Sequence, residues 1–340
     1  MEVNLISDTI TQPSPAMLEA MQKAPVRDDV FKEDPTVNLL EKRLADLFGM
    51  GGALLFPSGT MANQTAIKIH TQPGEQLICD HYAHIYNYEG GGISFNSGVS
   101  CKLLEGDQGR LTASQIEPAI NSSDFYHSPK TSLVCLENTT NKGGGAYYDF
   151  NEIKKIRALC DNYQLKLHLD GARLWNALAE TEQTAADYGK QFDTISVCFS
   201  KGLGCPVGSV LLGSEELINK ALRVRKVLGG GMRQAGYLAA AALYALDNHL
   251  TDLKEDHRKA KEIGEELKKC SFVEKVVPVH SNIVIFYLTS DWSSDRFIHQ
   301  MATKNIRLLT LGNGNMRLVT HRDYSDKQHH YFLNVLQEFH

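Results

Sequence analysis

The chain has 340 residues and a mass of 37.8 kDa, long enough for one large domain and a smaller one around a substantial core. Its 35 lysines and arginines against 40 aspartates and glutamates leave a net charge of −5 and a pI near 6.2, which excludes the basic surplus that a nucleic-acid binder needs. The longest apolar run, Leu238 to Leu246, falls far short of the roughly 20 residues that span a bilayer, so a transmembrane protein is excluded as well.

The first residues are acidic and polar (Glu2, Asn4, Ser7, Asp8) and lack the basic-then-apolar order of a secretory signal, so the expected location is cytoplasmic. Seven cysteines are scattered, several of them within strand-like runs where a small apolar residue serves, and they indicate neither a disulfide framework nor a zinc site. No metal is expected. In chain order, short apolar runs at Ala53 to Phe56, Gln76 to Cys79, Leu133 to Leu136, Leu165 to Leu169, Thr194 to Phe199 and Ser209 to Leu212 read as strands. Helical patterns at Met61 to His70, Ile153 to Tyr163 and Glu215 to Leu228 lie between or just after them. Near-continuous apolar strands alternating with helices predict an α/β fold, a mostly parallel sheet covered by helices on both faces. A long helix from Gln234 to His249 and a charged one from Asp252 to Cys270 follow, and the boundary is placed between them. Residues 1–250 are expected to form the large domain, with an N-terminal active-site segment, and residues 251–340 a small C-terminal α/β domain. In the latter, strands are predicted at Ile283 to Leu288, Ile306 to Leu309 and Met316 to Val319, and helices at Asp295 to Asn305 and Ser325 to Phe339.

Three local patterns carry chemistry. Ser200-Lys201-Gly202-Leu203-Gly204 ends a strand, which puts the Lys201 amine where open α/β sheets bind ligands, with glycines that leave room for an aldehyde. Taken alone it is equally a loop lysine beside a turn. His168-Leu169-Asp170-Gly171-Ala172-Arg173 places Asp170 at another strand end, suited to holding a cofactor ring nitrogen protonated, or to capping the next helix. Phe56-Pro57-Ser58-Gly59-Thr60-Met61-Ala62-Asn63 runs from a strand into a helix start, a phosphate cradle or a plain junction. A phosphate cradle, a strand-end aspartate and a strand-end lysine, in this order, are the fixtures that pyridoxal phosphate (PLP) requires.

Over nearly its whole length the sequence resembles the threonine aldolase family of fold-type-I PLP enzymes. The matching stretches include Ser7-Asp8-Thr9, Asp28-Asp29-Val30, Glu33-Asp34-Pro35-Thr36, Pro57-Ser58-Gly59-Thr60, Ala83-His84, Leu136-Glu137-Asn138-Thr139, His168 to Arg173, Ser200-Lys201-Gly202, Gly229 to Gln234 and Arg317 to His321. The resemblance implies that Lys201 forms the Schiff base with PLP, that Asp170 pairs with the ring nitrogen, and that Ser58, Gly59, Thr60 and Ser200 hold the phosphate. It further implies that His84 stacks on the ring, that Ser7, Arg173 and Arg317 grip the substrate carboxylate with Arg173 also beside the cofactor, and that His84 and His127 lie near the β-hydroxyl. The expected activity is retro-aldol cleavage of L-threonine, L-allo-threonine and related β-hydroxy-α-amino acids to glycine and an aldehyde. The alternatives are another fold-type-I PLP activity, β-elimination or transamination, and a PLP-binding regulator without turnover. The resemblance also implies a homotetramer in which Lys226 and Arg233, in the cluster Arg223, Arg225, Lys226 and Arg233 around Gly229-Gly230-Gly231, reach a neighbour's cofactor phosphate. One departure is visible: Phe31 stands where the family commonly has tyrosine close to the active site.

Overall fold

A computed structural model describes residues 1–312 and 314–338. Its strands are β1 (Val3–Asn4), β2 (Gly52–Phe56), β3 (Gln76–Asp80), β4 (Ser100–Leu104), β5 (Thr131–Glu137), β6 (Lys166–Gly171), β7 (Thr194–Cys198), β8 (Ser209–Gly213), β9 (Val273–Val276), β10 (Ile283–Leu288), β11 (Ile306–Arg307), β12 (Leu309–Gly312) and β13 (Asn315–Val319). Seven form one sheet in the order β2-β8-β7-β6-β5-β3-β4. All neighbours in it are parallel except β8, which runs against both β2 and β7.

The exception has a local cause. Only the short loop 199–208 joins β7 to β8, and a parallel return needs a crossover of a dozen residues or more. The loop turns tightly through Gly204 and Gly208, at φ +75° and +122°. Every residue of β3, β7 and β8 is buried, as a sheet covered on both faces demands. β4 and β9 were not among the expected strands: both are edge strands with half-exposed burial patterns and no continuous apolar run.

The helices Gly59–His70, Phe150–Asn162, Glu215–Val227 and Gly236–Asn248 lie close to the expected spans. Helix Pro35–Phe48 illustrates the local logic: Asp34 Oδ1 accepts from the amides of Thr36 and Val37 at 3.1 Å, Pro35 opens the helix, and Gly49 ends it at φ +61°.

The second sheet is antiparallel, in the order β12-β13-β10-β9, and with helices Ser294–Thr303 and Asp326–Gln337 it encloses a separate apolar core. Phe339, the expected end of the last helix, lies outside the described residues. Helix Leu253–Leu267 joins the two layers, giving Leu253 to the large core and Ala260, Ile263 and Leu267 to the small one. The N-terminal segment departs from its expected grouping with residues 1–250. β1 pairs in parallel with β11, and Val3 and Leu5 are buried in the small layer's core. Burying those two apolar side chains decides the matter, and it carries the following residues, Ser7 and Asp8, to the cleft between the layers.

Candidate active site

The carboxyl ends of β2, β3, β5, β6 and β7 share one edge of the large sheet, and most of the predicted site residues lie there. Lys201 follows β7; its Nζ is 3.5 Å from Cys198 Sγ and makes no ion pair among the described residues, while its carbonyl accepts from Thr11 Oγ1 at 2.7 Å. Helix Gly59–His70 begins beside it. Ser58 is the cap of that helix: its Oγ accepts from the amide of Met61 and its carbonyl from the amide of Ala62. The amides of Gly59 and Thr60 thus remain available to an anion. A Cβ on Gly59 would lie 2.8 Å from Cys198 Sγ, so only glycine lets this helix start approach the end of β7.

Asp170 is buried at the end of β6. Its Oδ1 accepts from the amide of Ala172 at 3.1 Å and its Oδ2 from Asn63 Nδ2 at 3.0 Å. The helix-cap alternative finds no support, since helix Leu174–Glu180 has Arg173 at its cap position with no side-chain bond. The same Asn63 amide reaches Glu89 Oε1 at 2.9 Å, and Glu89 also accepts from Gln64 Nε2 at 2.6 Å and faces His84 Nδ1 at 3.1 Å. Burial by itself would lower the His84 pKa, but the Glu89 bond and the charges of Asp170, Glu89 and Glu137 outweigh it, and the net shift is upward. Glu137, at the end of β5, accepts from the amides of His84 and Asn141 at 2.8 Å, yet burial and the charge of Asp170 push its carboxyl up to about 7. His84, Glu89 and Asp170 each bring one potential ligand atom within 4.8 Å of the others.

Arg173 is buried, and Asp8 binds it at two points, Nε to Oδ2 at 2.7 Å and Nη2 to Oδ1 at 2.6 Å; Nη1 reaches Asn141 Oδ1 at 3.4 Å. Arg317, on β13, is buried with no ion pair among the described residues and with an unbonded Nε. Burial and the charge of Arg173 lower its pKa to about 10. A buried guanidinium without a counter-ion beside a second one is an anion site. Ser7 caps the turn Asp8–Ile10, its Oγ accepting from the amide of Thr9 at 3.2 Å and from Thr9 Oγ1 at 2.9 Å.

Other candidates have different surroundings. His127 is exposed in the loop before β5, stacked on Tyr126 and Phe125 at 4.1 and 5.2 Å, so the length of β5, roughly 20 Å, separates it from Glu137 in the same chain. Arg225, counted with the positive cluster, is instead buried and bonded to Leu55 O and Asp29, because an unpaired internal guanidinium would be costly. Lys226 is exposed, and Arg233 pairs with Asp28 Oδ2 at 2.8 Å while 56% exposed. Phe31 is 70% exposed. Asp8, Asn63, Glu89 and Glu137 were missed as site residues. Asp8 and Glu137 lie within quoted matching stretches, and Asn63 and Glu89 stand three and five residues after Thr60 and His84, but only the fold shows that these groups meet.

Residues 4–290 match the beta-eliminating lyase family. The chain is 40% identical over 346 residues to low-specificity L-threonine aldolase 1 of Arabidopsis thaliana, covering 99% of this chain and 96% of that protein. It is 37% identical over 327 residues to the low specificity L-threonine aldolase of Escherichia coli strain K12, covering 96% of each. In fold it resembles the threonine aldolase of Leishmania major, with a TM-score of 0.86 and 24% identity over 99% of both chains. On matches that run over nearly its whole length, the chain belongs to the low-specificity L-threonine aldolases, within the beta-eliminating lyase family.

Proposed function

We propose that the chain cleaves L-threonine, L-allo-threonine and related β-hydroxy-α-amino acids to glycine and an aldehyde, with PLP as cofactor. The observation that carries this reading is the meeting, at one sheet edge, of an unpaired lysine amine, a buried aspartate and an open helix start with a buried arginine that lacks a counter-ion. The donor set fits PLP: Gly59, Thr60 and Ser200 would hold the phosphate, Asp170 the ring nitrogen, Lys201 the aldehyde carbon, and His84 would lie on the ring face. When bound, PLP supplies an electrophilic carbon for the substrate amine and a ring that accepts the electron pair released at Cα.

The chain's own residues do the rest. Arg317, with Arg173 Nη1, which here reaches only Asn141 Oδ1 at 3.4 Å, and the Ser7 hydroxyl, would bind the substrate carboxylate and so fix which Cα bond is placed to break. His84 has its Nδ1 held by Glu89, so its Nε2 is the atom free to take the β-hydroxyl proton, directly or through water. Loss of that proton forms the aldehyde carbonyl as the Cα–Cβ bond breaks. Asp170 balances the protonated ring nitrogen while Cα is reprotonated.

The reading extends to assembly and place. A homotetramer with shared active sites is supported by exposed Phe31, Phe95 and Val227 at 70%, 89% and 80%, and by Lys226 and Arg233 at the surface, where His127 of another subunit could also complete a site. Seven unpaired cysteines and the absence, among the described residues, of any helix long and apolar enough to cross a membrane suit a cytoplasmic enzyme that consumes threonine and forms glycine. Incubation with threonine and PLP, without a keto acid, tests the activity. Glycine plus acetaldehyde is expected; 2-oxobutyrate plus ammonia, or no turnover, would overturn it.

A further inference from the structure

The geometry points to Asn63 and His168 as positioning residues that hold the Asp170 carboxylate as a fixed anion aimed at the cofactor ring nitrogen, through a one-way chain of hydrogen bonds starting at His70. This inference rests on the reading of the pocket as a PLP site. Asn63 lies in the helix Gly59–His70 and makes four hydrogen bonds, its full capacity. One edge of its amide faces two carboxylates, Asp170 Oδ2 at 3.0 Å and Glu89 Oε1 at 2.9 Å; the other faces Ser196 Oγ at 2.6 Å and His168 Nε2 at 3.2 Å. The carboxylates decide the orientation. An amide oxygen turned toward two acidic oxygens would meet only acceptors, so the NH2 group must face them and the oxygen must face His168.

That orientation sets the next link. His168 Nε2 must carry a proton in order to donate to Asn63 Oδ1. Burial drives the pKa of this imidazole down to about 4, against the charge of Asp170 and a backbone contact of Thr194, so the ring is neutral; with its one proton placed on Nε2 by Asn63, its Nδ1 is an acceptor. Thr194 Oγ1 lies 2.9 Å from that Nδ1 and donates to it. Its own acceptor site then receives His70 Nε2, also at 2.9 Å. Every donor from His70 to Asn63 points toward Asp170, so each dipole turns its positive end to the carboxylate and reinforces the next. The other Asn63 proton serves Glu89, which holds His84 Nδ1, so one amide orients the groups on both sides of the ring.

The test uses the full chain with PLP. Nitrogen-15 NMR of labelled histidine, with His168 assigned by its loss in a His168→Gln variant, should show a neutral ring protonated at Nε2, with and without PLP. In His168→Leu, apoprotein affinity for PLP should fall by up to about tenfold, as loss of one neutral hydrogen bond implies, and the nitrogen signal of ring-labelled PLP should move toward the unprotonated position. His168→Gln, which keeps a donor for Asn63, should recover most of both. Should His168→Leu fail to fold, Thr194→Val, close in shape to the native residue, carries the test through a change in the His168 ring signals and the same PLP readouts. Protonation of His168 at Nδ1, or folded variants with wild-type affinity and an unmoved ring-nitrogen signal, would overturn the role. Wild-type protein that takes up no PLP removes the parent reading as well, whereas PLP-competent wild type with indifferent variants removes the positioning role alone.

Discussion

Asp8 and Arg173 meet as a buried two-point pair, 2.7 and 2.6 Å between their nitrogen and oxygen atoms, although 165 positions separate them in the chain. The pair ties the N-terminal turn to the end of β6, and the remaining Nη1 of the guanidinium lies 3.4 Å from Asn141 Oδ1. Burial would raise the Asp8 carboxyl, but the charge and hydrogen bonds of Arg173 reverse that and hold it well below its ordinary 3.8. A depressed carboxyl stabilises the fold fully above that ordinary value and loses its contribution as pH falls below it. Asp8→Asn should therefore cost about 3–5 kcal/mol at neutral pH, the penalty of stranding a buried charge, and should raise KM by freeing Arg173. Denaturant titration should find the stability gap constant down to about pH 4 and narrowing in stronger acid. A gap that closes toward alkaline pH would contradict the assignment.

Arg317 is buried with no ion pair among the described residues, the feature on which its proposed role at the substrate carboxylate rests. Arg317→Ala should raise KM for threonine tenfold or more, the worth of a charge-assisted bond of about 1.5–3 kcal/mol, while the PLP absorption spectrum stays that of the wild type. Unchanged substrate affinity would remove Arg317 from the carboxylate site.

Glu89 raises the His84 pKa, so at neutral pH it keeps part of the imidazole protonated and unable to act as a base. In Glu89→Gln the acid limb of the kcat/KM profile should move to lower pH, because the ring is then neutral over a wider range. A limb that stays in place would show that another group takes the hydroxyl proton.

If Lys226 and Arg233, both at the surface, reach the cofactor phosphate of a neighbouring subunit as proposed, PLP retention depends on assembly. Dilution to monomers should release PLP, and Arg233→Ala should bind it more weakly. Ultracentrifugation alongside absorbance would settle this, and a monomer with undiminished PLP affinity would exclude a shared phosphate site.

Phe31 presents its ring to solvent, and a hydroxyl added there has no buried partner to orient. Phe31→Tyr should therefore change kcat/KM on threonine by less than the factor that one neutral hydrogen bond confers, about 0.5–1.5 kcal/mol. The ratio of phenylserine to threonine turnover should also stay constant; a reversed preference would make Phe31 a specificity determinant.

Much of this molecule is legible in one dimension because its signals are local. Buried parallel strands are apolar runs, so β2, β3 and β5 to β8 appear in the sequence, as do the turns that place Lys201 and Asp170 at strand ends. Edge strands β4 and β9 carry half-exposed patterns and do not. Helices Gly59–His70, Phe150–Asn162 and Glu215–Val227 were readable from their periodicity, whereas Pro35–Phe48, although capped by Asp34 and ended by Gly49, was not among the expected helices.

What sequence alone determined is thus the fold class, the family and the order of the three cofactor fixtures, since each depends on neighbours a few positions apart. Tertiary structure decided the pairings. It closed Asp8 onto Arg173, left Arg317 without a counter-ion, buried Arg225 against Asp29, set Glu89 behind His84 and kept His127 off this chain's own site. The buried outcomes among these depend on which charges are removed from water together. Such desolvation is a property of the packed three-dimensional neighbourhood and has no periodicity in the chain.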